Sequence, residues 1–278
     1  MGAGVAIVTD STSDLPPERA AELGIHVMPL TVRIDDAEYE DGTELTPAAF
    51  YEKLRTARAI PTTSQPAVGR FQALYESIDA EAIVSIHISG KLSGTVNSAR
   101  AAATQVRDKR IEVVDSENVS LSMGYLAQAA AEAALSGASV EKVLEMVARQ
   151  RGASGFYALL DTLEHARRSG RISFAQALLG SMLQIKPIVT IRGGVVEPSD
   201  RPRTMRKGME RLAELTRQEA PFAYLAVPHA NNEPLARDLA ERLADVFPGD
   251  IDVLPTGATV GSHCGPGAVA TCYVKKLK

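Results

Sequence analysis

The chain has 278 residues, enough for one large or two ordinary domains with well-buried cores, and two domains is the expectation. Apolar residues make up 45% and charged residues 23%, which excludes the composition that keeps a chain disordered. Thirty lysines and arginines against thirty-four acids give a net charge of -4, which excludes a general nucleic-acid binder with its strongly basic footprint.

Residues 5–8 form a short buried-strand run, and a helix is predicted over 16–23, with Asp14 as its N-cap and Gly24 just past its end. Residues 25–30 read as a second strand. Thr46 and Pro47 cap and start a helix through about residue 55, because proline suits the first helical position. The segment PTTSQP at 61–66 sets three hydroxyls and an amide between two prolines, so it is expected to be an extended loop rich in hydrogen-bonding groups. A helix over 68–77 leads into a strand over 82–88. The loop SGKLSGT at 89–95 then turns into a helix through about residue 106, followed by a strand over 111–114. Strands alternating with helices at this spacing predict a parallel sheet with helices on both faces, and ligands on such sheets collect at the carboxyl ends of the strands. The loops leaving those ends, 9–14 and 89–95, are both rich in hydroxyls.

Two alanine-rich helices are predicted over 123–135 and 140–150, the second capped by Ser139. After Gly152 the pattern changes. A strand is expected at 156–160 and short helices at 162–168 and 174–179. Apolar runs at 185–191 and 195–196, joined through Arg192, Gly193 and Gly194, give a hairpin signal. A helix over 205–217, a strand over 222–227, a helix over 234–246 and strands near 251 and 270 complete the chain. The expected fold is α/β in two domains: residues 1–155 around a parallel sheet flanked by helices, and residues 156–278 around a mixed sheet.

The longest apolar runs fall well short of the roughly 20 residues that span a bilayer, and the first ten residues lack a secretory pattern. No transmembrane segment and a cytoplasmic location are expected, with transient contact at a membrane surface left open. Cys264 and Cys272 support neither a disulfide framework nor a zinc site, and His26, His87, His165 and His229 are scattered without an HExxH motif, so no metal or cofactor is expected. Charge is unevenly placed: from His165 to Arg211 the chain carries +7, and the remainder -11. A positive face on an acidic protein suits a phosphate-bearing ligand or an acidic partner, although a solvated helix face accounts equally well for any single arginine.

The sequence GKLSGT at 90–95 lacks the second Gly-Lys pair of a P-loop, yet Ser93 and Gly94 stand where a strand turns into a helix, a position that favours an anion or simply caps the helix. Thr62, Thr63 and Ser64 offer three adjacent hydroxyls, and His263 lies among glycines in GSHCGPG at 261–267. A serine hydrolase or acyltransferase using Ser93 and His263 stays open on these residues, without a GxSxG elbow or an identifiable acid partner. A binding module for another amphiphile or small anion stays open as well.

Six short motifs in order along the chain, VTDSTSDLP at 8–16, PTTSQP at 61–66, IHISGKLSGT at 86–95, SGRI at 169–172, LQIKP at 183–187 and GSHCGPG at 261–267, resemble the DegV family of bacterial fatty-acid-binding proteins. The resemblance implies a non-catalytic carrier that holds a long-chain fatty acid between its two domains. It further implies that the carrier presents the carboxylate to a separate ATP-dependent kinase subunit, giving an acyl-phosphate for phospholipid synthesis. On this resemblance the carboxyl group falls to Thr63, Ser93 and His263, with Thr62, Ser64 and the Gly94 amide as neighbouring donors. Arg171 and Arg203 then serve the phosphate or the kinase subunit.

Overall fold

The computed structural model describes residues 3–171 and 185–277. The chain opens with strand β1 (Ala3–Asp10), helix α1 (Pro17–Glu22), strand β2 (Ile25–Met28) and a hairpin of β3 (Thr31–Ile34) and β4 (Ala37–Glu40). Next come α2 (Pro47–Leu54), β5 (Thr62–Ser64), α3 (Val68–Ser77), β6 (Ala80–His87), α4 (Thr95–Ala103) and β7 (Arg110–Asp115). Two consecutive helices, α5 (Leu121–Leu135) and α6 (Val140–Arg151), lead to β8 (Ser154–Leu159) and α7 (Glu164–Ser169). Beyond residue 184 follow β9 (Ile188–Arg192), β10 (Val195–Asp200), α8 (Met205–Arg217), β11 (Phe222–His229), α9 (Glu233–Leu243), β12 (Asp252–Pro255), α10 (Ala258–Cys264) and β13 (Val269–Lys275). The helix expected at 174–179 and the motif residues 172, 183 and 184 lie outside the described residues.

The fold is α/β, with a parallel and a mixed sheet. The parallel sheet runs β2-β1-β6-β7. Alternation along β1 sorts its two cores: Ile7 packs with α1, α5 and α6, and Val8 with α3 and α4, so helices cover both faces as the spacing predicts. The order places a switch point between β1 and β6, where the Ser11–Ser13 turn and the Ser89–Gly94 loop leave the sheet side by side. Asp10 ties these exits together. Its carboxylate accepts from the Thr12 amide and hydroxyl on one side and from the Ile88 amide and His87 Nδ1, each at 3.0 Å, on the other.

The mixed sheet has the order β10-β9-β8-β13-β11-β12. The two-residue turn between β9 and β10 has Gly193 and Gly194 at φ of 53° and 80°, the left-handed backbone that a tight hairpin requires. The outer face, with Tyr157, Leu159, Leu225, Val227 and Tyr273, packs against α8 and α9. Helix α5 lies between the sheets, which explains why it is buried on every side from Leu121 to Ala131. Met123, Leu126 and Ala130 join the core of the parallel sheet, whereas Leu121 and Tyr125 join that of the mixed sheet.

Three local expectations need correction. The 61–66 segment is not only an extended loop: Thr62–Ser64 is a strand that pairs antiparallel with β3 in a third sheet, β4-β3-β5. The hairpin β3–β4 was not read from sequence, because four-residue strands, one with two buried side chains and the other with none, carry too little pattern. Asp14 does not cap α1, whose N-cap is Pro16 without a side-chain bond; Asp14 instead adopts a left-handed backbone (φ 52°) and turns its carboxylate to Gly257 and Ser120. Long-range donors outcompete the local cap there. The caps at Thr46 and Ser139 form as the sequence suggests.

Candidate functional site

A cavity open to solvent, about 1120 Å³ with the solvent at its mouth included, lies between the exits of the parallel sheet and the inner face of the mixed sheet. Its origin is legible in side-chain volume. Along β8 and β13 the outward residues are large (Tyr157, Leu159, Tyr273), while the inward ones include Ala158, Ala268 and Ala270, joined by Ala230 after β11. Small residues on one face of a sheet leave space that the opposing α5 and the Ile88–Leu92 stretch do not fill. Phe156, Leu160, Val189 and Val196 complete an apolar wall.

At one end the lining turns polar. Thr63 Oγ1 and His263 Nε2 are hydrogen-bonded at 2.9 Å, and Ser64, Gln65, Ser93, Gly94 and Arg171 line the same space. Burial, then the neighbouring Arg171 and His165 side chains, push the His263 imidazole down to about 4, so it is neutral near pH 7. Its Nδ1 is sealed from solvent and has no hydrogen-bond partner among the described residues, so no carboxylate stands behind it as in a hydrolase triad. Ser93 does not touch His263 within the hydrogen bonds present. Its hydroxyl meets Thr95 Oγ1 at 2.8 Å and accepts from the Thr95 amide at 3.3 Å, where it braces the first turn of α4. Ser93 is not the N-cap, which is Gly94 without a side-chain bond; its hydroxyl holds Thr95 while the residue lines the cavity.

The loop carrying Ser93 is fastened from both sides. Ser89 donates its hydroxyl to the Gly194 carbonyl at 2.7 Å, and the Gly90 amide donates to Asp115 at 3.1 Å. His263 is not in a glycine loop, as its surroundings suggest, but in the last turn of α10, which ends at Gly265. Two carboxylates take the start of that helix. Asp14 accepts from the Gly257 amide at 2.8 Å, and Asp41 accepts from the Ala258 and Thr259 amides at 2.9 and 3.2 Å. Burial, opposed by its hydrogen bonds and helped by Asp41 and Asp10, raises Asp14 to about 7; burial also raises Asp41. Midway along α10, Gly261 lets the helix lie on α2, since a Cβ there would meet Tyr51 Oη at 2.6 Å and Phe50 Cε1 at 2.8 Å.

Of the residues singled out from the sequence, Thr63, Ser64, Ser93, Gly94, His263 and Arg171 line one cavity. Thr62 is exposed and does not line it, and Arg203 is an exposed residue away from it. Sequence reasoning missed Thr12, Gln65, Ser120, Thr256 and Thr259, which also line the cavity. Gln65 belonged to a motif already noticed, and Thr259 lies one helical turn before His263. The +7 segment is partly neutralised by neighbours: Arg168 pairs with Glu164, Arg211 with Asp200 and Glu214, and Lys186 with Asp161.

A second Ser–His–Asp chain, Ser85 Oγ to His87 Nε2 at 2.7 Å and His87 Nδ1 to Asp10 at 3.0 Å, is fully buried and ends on the Tyr75 hydroxyl. With no surface to admit a substrate, it is a satisfied core network. Among the described residues no group of three or more His, Cys, Asp or Glu side chains is arranged for a metal ion, and no helix is long and apolar enough to cross a membrane. Burial pushes the thiols of Cys264 and Cys272, both on the cavity wall, up to about 12 and about 11, which leaves them protonated.

The geometry has close relatives. Protein DegV of Bacillus subtilis is 36% identical over 280 residues, covering 98% of this chain and 99% of that protein, and a DegV domain-containing protein of Streptomyces coelicolor is 39% identical over 274 residues, covering 96% and 97%. Among solved structures, the fatty-acid-binding DegV-family protein of Thermus thermophilus matches with a TM-score of 0.88 at 35% identity, over 99% of this chain and 100% of that one. The structure of DegV, a fatty-acid-binding protein from B. subtilis, matches with a TM-score of 0.89 at 35% identity and the same coverage. The family model described as "Uncharacterised protein, DegV family" matches residues 4–276, and the chain belongs to the DegV family.

Proposed function

We propose that this protein binds a long-chain fatty acid, tail in the apolar cavity and carboxylate at the polar end, and presents that carboxylate to a separate ATP-dependent kinase subunit without performing chemistry itself. The observation that carries the reading is one cavity whose wall is apolar over most of its extent and polar at one end, where Thr63, Ser93, His263 and Arg171 meet. A carboxylate removed from water needs several donors, and hydroxyls, that of Thr63 held by the neutral His263 imidazole, and a guanidinium supply them. The tail supplies most of the affinity. About fourteen methylenes at roughly 0.8 kcal/mol each give on the order of 11 kcal/mol before ordering costs.

Arg171, exposed at the cavity, is placed to meet the added charge of an acyl-phosphate, and Arg203, exposed and outside the cavity, to meet the kinase subunit. The hydrolase reading is the weaker one, because His263 bonds to Thr63 and has no acid behind it among the described residues. Denaturing extraction of the purified protein with mass spectrometry of the released lipid tests the proposal. A long-chain acid is expected, and its absence, together with failure to take up added palmitic acid, overturns it. Ser93→Ala and His263→Ala are expected to weaken retention in a folded protein, and Arg203→Glu to leave retention unchanged while slowing phosphorylation by the kinase subunit. A covalent acyl-enzyme formed with an activated ester would favour the hydrolase instead.

A further inference from the structure

Helix α10 delivers His263 to the cavity with its own last turn unfinished. A carbonyl in an α-helix accepts from the amide four residues on, and for Ser262 that residue is Pro266, which has no N–H. Another group takes its place. His165, on α7 and 8% exposed, brings its Nδ1 to 3.1 Å from the Ser262 carbonyl oxygen. A carbonyl only accepts, so this nitrogen carries the proton, and one imidazole N–H replaces the amide that proline lacks. The backbone is shaped for the same contact. Gly265 ends the helix at φ 77°, and a Cβ there would meet Cγ and Cδ2 of the His165 ring at 3.0 Å, so only a bare backbone turns this close to the imidazole.

What the bond joins gives it a role. On one side it grips the residue next to His263. On the other it belongs to α7, the short helix that leads through the left-handed Gly170 to Arg171. His263 and Arg171 are the imidazole and the guanidinium at the polar end of the cavity, and they reach it from parts of the chain far apart in sequence. The bond from His165 to Ser262 ties the two segments together directly, while His165 itself is not part of the cavity wall. We propose that His165 is a positioning residue: its Nδ1–H holds the last turn of α10 on α7 and so fixes the spacing of His263 and Arg171 around a bound carboxylate. This rests on the fatty-acid reading above and deepens it by a residue that acts through the head-group end without touching the ligand.

The test measures palmitic acid and hexadecan-1-ol, which share a tail length but differ in head-group charge, by calorimetry on the delipidated wild-type chain, His165→Phe and His165→Asn. Phenylalanine keeps a ring and loses the donor, whereas the asparagine amide restores a donor near the place of Nδ1. His165→Phe is expected to bind palmitic acid about three- to tenfold more weakly than wild type, the factor worth one hydrogen bond, and hexadecan-1-ol within about twofold. His165→Asn is expected to recover the acid. His165→Leu, slimmer and equally unable to donate, replaces the Phe variant if circular dichroism shows that the ring prevents folding. Equal losses for acid and alcohol, or an Asn variant as weak as the Phe variant, would show that His165 only supports the fold, and either result overturns the inference. Undiminished acid binding by His165→Phe overturns it too and leaves the fatty-acid reading intact, whereas failure of wild type to bind palmitic acid sinks both readings together.

Discussion

The two sheets of this molecule are built by the same rules and filled differently. In the parallel sheet both faces are occupied: Ile7, Val84 and Ile86 meet α5 and α6, and Val8, Ile83, Phe71 and Tyr75 close the other side. In the mixed sheet the outer face is filled in this way, whereas the inner face is filled only in part: Leu121 and Tyr125 of α5 share a core with Ala226, Cys272 and Val274, and the alanines at 158, 230, 268 and 270 border the cavity. The comparison teaches that a binding cavity needs no special fold. It needs one sheet face where side-chain volume is withheld, placed opposite loops that supply polar groups, while the rest of the molecule supplies the stability that the hollow face forgoes.

The sharpest way to break this contrast is to remove volume from the full side. Phe71, on α3, is fully buried and packs edge-on to His87 at 5.0 Å between ring centroids. Phe71→Ala is expected to destabilise the protein by about 3–5 kcal/mol, read as a lower midpoint in urea at unchanged slope. A loss under 1 kcal/mol would mean that this side is as loosely packed as the other.

A smaller effect is expected where the two halves touch. Gly261 allows α10, which carries His263, to rest on Phe50 and Tyr51, and an added methyl at contacts of 2.6 and 2.8 Å must push the helix away. Gly261→Ala is expected to cost about 1–3 kcal/mol and to weaken fatty-acid retention more than its stability loss explains, because His263 moves with the helix. Unchanged retention in a folded variant would show that the helix position is not coupled to the head-group end.

The start of the same helix gives a pH signature. The folded-state pKa of Asp14 is raised above its unfolded value of 3.8 to about 7, so its contribution is fully present at acid pH and is lost as pH climbs from about 4 to about 7. Asp14→Asn removes this dependence. Relative to wild type, the variant is expected to gain about 2–3 kcal/mol between pH 5 and pH 8, measured as the difference in urea unfolding free energies at the two values. A difference that stays flat with pH would mean that Asp14 titrates normally in the folded chain.

How much of this was legible follows the same division. The alternating strands and helices of the first half, the Gly-Gly hairpin, and caps such as Thr46 and Ser139 are local patterns, and they form where the sequence places them. The motif residues Thr63, Ser93, His263 and Arg171 line one cavity although they are up to 200 positions apart. What stayed hidden is long-range. Asp14 reads as a cap for the helix that follows it, and only the folded chain brings Gly257 to its carboxylate. Thr259 carries no local signal, because only the folded chain brings it to the cavity wall. The alanines at 158, 230, 268 and 270 look like ordinary strand and loop residues until the alternation of their neighbours shows that they share one wall.

That wall gives the prediction with the smallest effect on stability and the clearest effect on ligand. Ala270 lies inward on β13, the central strand pairing with β8 and β11, and it faces the cavity rather than a packed neighbour. Ala270→Leu places three more carbons into space that is already open, so the overpacking that costs about 1–3 kcal/mol in a filled core is absent, and the empty protein is expected to unfold within about 0.5 kcal/mol of wild type. The ligand meets the difference. The added side chain occupies volume that an acyl tail would use, so the lipid extracted from the variant is expected to be shorter by several methylenes, each one lost costing roughly 0.8 kcal/mol of affinity. An unchanged chain-length distribution would place the tail elsewhere, and a stability loss as large as that of a core substitution would show that the inner face is as full as the outer, removing the contrast from which the cavity was inferred.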